Sequence, residues 1–220
     1  MNLNLITELF EQHRDKEKAI PMENYMKNHF PFLGIKSPER KNLMKQFFQE
    51  SGILKEAFHQ DFVLALWDKE EREYQYAALD YIERSLKKLD KQHLALMEKL
   101  VSTKSWWDTV DLLASKAVGT IASNHPEVIG ESIGGWAYGD HMWLSRTAIL
   151  FQLKYKERTD EEILYRYILQ NKVSKEFFIQ KAIGWALREY SKTNPDSVKR
   201  FIKSNSLPSL SVREGSKYIN

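Results

Sequence analysis

The chain contains no cysteine among its 220 residues, which excludes disulfide frameworks, thiolate metal sites and cysteine nucleophiles. Glycine and proline are sparse, nine and six residues, and fall mostly between apolar runs rather than inside them. Asn-Gly and Asp-Gly hairpin turns are missing, and no segment sustains the apolar–polar alternation of a half-buried strand. Long apolar runs are lacking too, and MNLNLITELFEQHRDKEKA becomes charged too early to read as a secretory leader. A cytoplasmic protein is the expectation. Neither sign of charge dominates: 33 basic residues stand against 30 acidic, a net +3 that permits a nucleic-acid partner without requiring one. The six histidines are scattered without ligand spacing, so no metal is expected. Neither a G-x-G-x-x-G or GK[ST] phosphate loop nor a G-x-S-x-G elbow occurs.

What the chain does have is helix punctuation and aromatic side chains. Ser37-Pro38-Glu39 and Asn194-Pro195-Asp196 each set an N-cap before a first-turn proline. Ser105-Trp106-Trp107-Asp108 has capping-box spacing, and Asp140 and Asp160 each precede a long apolar periodic run. Eleven Phe, ten Tyr and six Trp are more than a plain core requires. The fold expected is all-α, a single domain over residues 1–220.

Five helices can be laid over one another: EREYQYAALDY (71–81), WWDTVDLLASKAV (106–118), WLSRTAILFQLKY (143–155), EFFIQKAIGWALREY (176–190) and LSVREGSKYI (210–219). Each aligns a polar residue, namely Gln75, Asp111, Arg146, Gln180 and Arg213, at spacings of 36, 35, 34 and 33 residues. A two-helix unit with that period predicts a curved right-handed solenoid of HEAT-like repeats, an α–α superhelix. Equivalent positions would then form a polar line along a concave binding face.

Two of these helices carry unusual chemistry. Trp107 and Asp111 are four apart and share a face. Asp108 reads as a helix-terminal charge, whereas Asp111, one turn deeper among apolar neighbours, needs a partner or a task. Phe178, Lys181, Trp185 and Arg188, spaced by three, four and three, form one stripe. Cations interleaved with aromatics suit a sugar-phosphate backbone, the competing reading being Lys and Arg stems laid over a buried Trp. Arg146, amid apolar neighbours, is either a structural ion pair or a phosphate grip.

The segments YMKNHFPFLGIKSPER (25–40), TKSWWDTVD (103–111), WLSRTAILFQLKYK (143–156) and KEFFIQKAIGWALREYSKTNP (175–195) closely resemble the AlkD family of DNA alkylation-repair glycosylases. The resemblance covers nearly the whole chain. It implies HEAT-like repeats and the excision of cationic alkylpurines, chiefly N3-methyladenine and N7-methylguanine, from duplex DNA without metal or cofactor; a monomer is the expectation. It further implies that Asp111 is the carboxylate at the sugar C1′, that Trp107 and Trp185 wall the damaged nucleotide, and that Arg146 holds the adjacent phosphate. Tyr25, Phe177, Phe178, Lys181 and Arg188 would contact DNA. The family often carries glutamine before the Ser-Pro-Glu-Arg motif; Lys36 stands there in this chain and suits a phosphate better than a base. The alternatives are a non-catalytic paralogue that binds DNA structure and a protein-binding HEAT scaffold.

Overall fold

The computed structural model describes residues 2–219. Among them the regular structure is entirely helical: α1 (Asn2–Glu11), α2 (Lys16–Tyr25), α3 (Ser37–Ser51), α4 (Gln60–Asp68), α5 (Arg72–Arg84), α6 (Leu94–Ser102), α7 (Trp107–Leu112), α8 (Gly119–Asn124), α9 (Gly134–Tyr138), α10 (Met142–Leu150), α11 (Glu161–Asn171), α12 (Phe177–Tyr190), α13 (Pro195–Ser204) and α14 (Ser209–Gly215). A wide π turn, Leu113–Val118, joins α7 to α8 without a break, and a second, Ile129–Ile133, leads into α9. The chain folds as two compact units, one ending at Leu89 and the other beginning at Asp90.

In the first unit α1 packs on α3 and α4, and α5 on α3 and α4. Phe47 and Phe62 stack at 5.5 Å, with Tyr81 edge-on to Phe62 at 5.4 Å. Glu73, fully buried in α5, ties the unit to the segment before α3. Its carboxylate accepts the backbone N–H groups of Leu33 (2.9 Å), Gly34 (2.9 Å) and Ile35 (3.0 Å). Gly34 holds φ +94, and a Cβ there would fall 2.0 Å from the Asp15 carbonyl oxygen, so only glycine fits. The neighbouring Arg72 extends the anchorage, its guanidinium 3.8 Å from the Phe30 ring and its backbone N–H donating to the Pro31 carbonyl at 2.9 Å.

The second unit is organised around α10. Trp143, Ser145, Arg146, Thr147, Ala148, Ile149 and Leu150 are all buried, because α6, α7, α9, α11 and α12 pack around this helix. A helix enclosed on every side must satisfy its polar groups internally. Ser145 does so through the Trp136 carbonyl (3.1 Å) and Thr147 through that of Trp143 (2.8 Å). The repeat period is written into the bonding. Tyr155 donates to the Gly119 carbonyl 36 residues back, Arg158 to Ser123 at 35, and Asn171 to the Ala137 carbonyl at 34. These separations fall within the 33–36-residue spacing of the aligned helices.

The expected helix punctuation holds at two sites and is displaced at three. Asn194 and Asp160 cap α13 and α11 through Ser197 N–H and Ile163 N–H. At α3 the cap position is Lys36 rather than Ser37, and at α10 it is His141 rather than Asp140. The capping box expected at Ser105 does not form: its hydroxyl turns back to the Val101 carbonyl at 2.6 Å, and Trp106 occupies the cap.

Candidate active site

Three helices of the second unit supply the expected residues. Trp107 and Asp111 stand on α7, one turn apart, and Arg146 on α10. From α12 come Phe177 and the predicted stripe Phe178, Lys181, Trp185 and Arg188, all on one continuous helix. Together with Glu214 of α14 they line a cleft of about 400 Å³. Tyr25 and Lys36 belong to the first unit, at the end of α2 and just before α3, and both are exposed.

At the base of the cleft Asp111 meets Arg146 through two parallel hydrogen bonds. Arg146 Nε donates to Oδ1 at 2.7 Å and Nη2 to Oδ2 at 2.9 Å, while Nη1 donates to the Phe178 carbonyl oxygen. The Arg146 side chain is 5% exposed and that of Asp111 17%. Of the two readings of Arg146, the ion pair is what the free protein displays: a guanidinium buried that deeply finds its anion inside the protein. Burial pushes the Asp111 carboxyl above the ordinary aspartate range, Arg146 pulls the other way, and the negative charge of Asp108 adds to the rise.

The polar line is revised. Gln75 is fully buried and donates to the carbonyls of Trp67 (3.2 Å) and Lys69 (2.7 Å) at the end of α4, so its role is structural. Of the five aligned positions only Arg213 is exposed. The alignment still placed Asp111 and Arg146 in successive repeats, where they do touch.

Aromatic side chains build the rest of the cleft. Phe178 packs against Trp106 and Trp143, each with ring centroids 5.0 Å away, and Trp106 lies 5.8 Å from Trp143. This layer fixes the Phe178 backbone whose carbonyl holds Arg146. Trp107 and Trp185 are half-buried, with ring surface toward the cleft, and Phe177 is 57% exposed at its edge. The π turn begins two residues after Asp111, and Ser115 Oγ donates to the Asp111 carbonyl at 2.8 Å. Such turns inside α-helices are frequent at functional sites.

Glu214 is the cleft residue that sequence reasoning missed. Its carboxylate is ion-paired with Lys181 (3.3 Å), Arg188 (3.1 Å) and Lys217 (2.7 Å). Lys217 and Lys181 lower its carboxyl to about 2. The two cations assigned to DNA thus already share an internal anion. Among the described residues no three His, Asp or Glu side chains gather as metal ligands would, and no helix is long and apolar enough to cross a membrane.

Comparison with known proteins places this cleft in context. Residues 6–219 match the family described as DNA alkylation repair enzyme, and the chain belongs to that family. A solved structure described as a predicted DNA alkylation repair enzyme from Enterococcus faecalis is 37% identical, with a TM-score of 0.83 over 93% of this chain and 96% of that one. The fold recurs in AlkD2 from Streptococcus mutans, at 19% identity and TM-score 0.61 over 84% of this chain and 91% of that one. It recurs again in smu.31 from Streptococcus mutans UA159, at 20% identity and TM-score 0.60 over 82% and 98%. No curated protein matches the chain.

Proposed function

We propose that this member of the DNA alkylation repair enzyme family is a DNA glycosylase. Its substrates would be cationic alkylated purines in duplex DNA, N3-methyladenine and N7-methylguanine among them, and it would act as a monomer in the cytoplasm without a cofactor. One observation carries the reading: a mostly buried carboxylate, Asp111, is fixed in orientation by Arg146 and opens onto a cleft lined by Trp107 and Trp185.

The chemistry follows from the leaving group. An N-alkylated purine already bears a positive charge, so it leaves as a neutral base when the glycosidic electron pair passes to its ring nitrogen. No acid is needed to protonate it, and one carboxylate does the work for which glycosidases commonly use two. Positive charge then develops on the sugar. Asp111, held by Arg146 before the substrate arrives, stabilises that charge without reorganising, and directs water whose oxygen bonds to C1′ while its proton passes to solvent by way of the carboxylate. The indole faces of Trp107 and Trp185 add cation–π attraction of about 0.5–2 kcal/mol each. Arg146 is a positioning residue in this scheme. Tyr25, Lys36, Phe177, Phe178, Lys181 and Arg188 are the proposed DNA contacts, Phe178 also serving as the buttress of Arg146.

The pairing of both Asp111 oxygens also favours a second reading, in which the ion pair is purely structural and the protein binds DNA structure without cleaving it. Release of free base from duplex DNA treated with a methylating agent, at low salt, separates the two. The glycosylase reading expects release by the wild type and its loss in Asp111→Asn, with DNA binding retained. Binding without release by the wild type would leave a non-catalytic relative.

A further inference from the structure

The cleft holds one charged side chain that the glycosylase scheme leaves without a task. Glu214 is 10% exposed at its side chain, while the three cations around it keep 38% (Lys181), 26% (Arg188) and 48% (Lys217). The anion therefore lies beneath, and the positive groups reach outward with a net charge of two.

The backbone is shaped to hold it there. Glycine is a poor helix former, yet Gly184 sits in the middle of α12. A Cβ at that position would lie 2.6 Å from Glu214 Cβ and 3.1 Å from the Ser211 carbonyl oxygen, so glycine is what lets α14 seat this closely. Ser211 Oγ donates to the Gln180 carbonyl at 2.8 Å, one turn earlier on α12. With its Cβ locked, Glu214 presents its carboxylate to Lys181 and Arg188, and the two oxygens meet cations as the two non-bridging oxygens of a phosphodiester would.

We propose that Glu214 is a built-in counter-anion to the DNA backbone, gathering Lys181, Arg188 and Lys217 in the free protein and limiting how tightly they take up a phosphodiester of undamaged duplex. This rests on the reading of the cleft as a DNA-repair site. An enzyme that must sample long stretches of normal DNA gains from weak backbone attraction, because affinity drawn from phosphates is blind to damage. The competing role is a plain bridge between α12 and α14, which would stabilise the fold and leave phosphate affinity unchanged or reduced when the carboxylate is removed.

The test is binding to an undamaged duplex, followed by fluorescence anisotropy across a salt series, for the wild type, Glu214→Gln and Glu214→Ala. Alanine keeps the Cβ that rests on Gly184 and removes the carboxylate, so either variant serves if the other fails to fold. Removing the anion is expected to tighten binding several-fold at low salt and to steepen the salt dependence by up to about 0.9 in log–log slope, the value of one added phosphate contact. Equal or weaker binding by folded variants overturns the proposal. Base release by the same wild-type preparation keeps the underlying reading separate. Release without tighter variant binding removes the counter-anion role alone. Tighter variant binding without release removes the glycosylase reading alone, and the absence of both removes the two together.

Discussion

Arg146 spans the cleft floor between two elements, giving Asp111 both a 2.7 Å and a 2.9 Å hydrogen bond while its third arm holds the Phe178 carbonyl. The arrangement makes stability depend on both partners. Arg146→Ala strands a carboxylate in a buried site, and breaking a buried pair from one side costs about 3–5 kcal/mol. Asp111→Asn keeps a carbonyl oxygen for one Arg146 bond, but it turns an amide NH₂ toward the other and leaves a buried guanidinium that cannot shed its charge, so its stability falls as well. Denaturant unfolding of the two variants measures both losses, and Arg146→Ala should also lose base release because Asp111 is no longer held.

The pH dependence of base release should report Asp111. The proposed step needs the carboxylate form, and burial raises the Asp111 carboxyl above its ordinary 3.8. Activity therefore falls as pH drops through a value higher than that of a free aspartate. The stability term has the opposite sign: a carboxyl that binds its proton more tightly when folded contributes most below its unfolded value and loses that contribution as pH rises through the folded one. Single-turnover release on methylated duplex, measured across the mildly acidic range, locates the limb. Glutamate in place of Asp111, with a longer reach, should not restore it.

Glu214 behaves in the reverse sense. Its carboxyl is held near 2, well under the unfolded 4.5. The ion cluster's contribution is thus present above about 4.5 and disappears as pH falls toward 2. Acid unfolding of the wild type and Glu214→Gln should converge in that window and diverge above it, followed by circular dichroism.

How far the site could be read from sequence depends on whether its partners share a helix. Trp107 with Asp111, and the Phe178–Arg188 stripe, are spaced by helical periodicity and so announce their common face. The Asp111–Arg146 pair was approachable because the two stand 35 residues apart, at one repeat period. Glu214 offers no such signal. Between Arg213 and Lys217 it reads as a solvated acid, and its bond to Arg188 crosses 26 residues to a different helix. Arg146 read ambiguously for the same kind of reason, since its burial is set by five surrounding helices that no local pattern displays. Ser105 looked like a cap by spacing alone, but Lys104 turns to φ 49 and sends the chain elsewhere, leaving the hydroxyl to the Val101 carbonyl.

Glu73 extends the same lesson, because its partners are backbone groups about forty residues earlier and carry no residue code. Glu73→Ala leaves the Leu33, Gly34 and Ile35 N–H groups buried without acceptors, each loss costing about 1–3 kcal/mol before water or rearrangement relieves it. Glu73→Gln is expected to be milder yet still destabilising. Its oxygen can serve Gly34 and Ile35, whereas its amide NH₂ would face the Leu33 N–H as donor against donor. Amide hydrogen exchange at residues 33–35 should accelerate in both variants, and most in alanine.

Two glycines on helices should respond to the same substitution with opposite signs. Gly184→Ala forces a methyl to within 2.6 Å of Glu214 Cβ, against atoms that belong to a packed helix pair. Overpacking of this kind costs about 1–3 kcal/mol, and the displaced α14 would also pull Glu214 off Lys181 and Arg188. Gly135, exposed on α9, has nothing within 4 Å of the point a methyl would occupy, so alanine there meets open space. The change removes conformational freedom from the unfolded chain and suits a helix, which predicts a gain of about 0.4–1 kcal/mol. Thermal melts of the two single variants decide the matter: a lowered midpoint for Gly184→Ala beside a raised one for Gly135→Ala is expected. A neutral Gly184→Ala would mean that α14 has room to withdraw, and Glu214 would then not be held against its cations by the glycine contact.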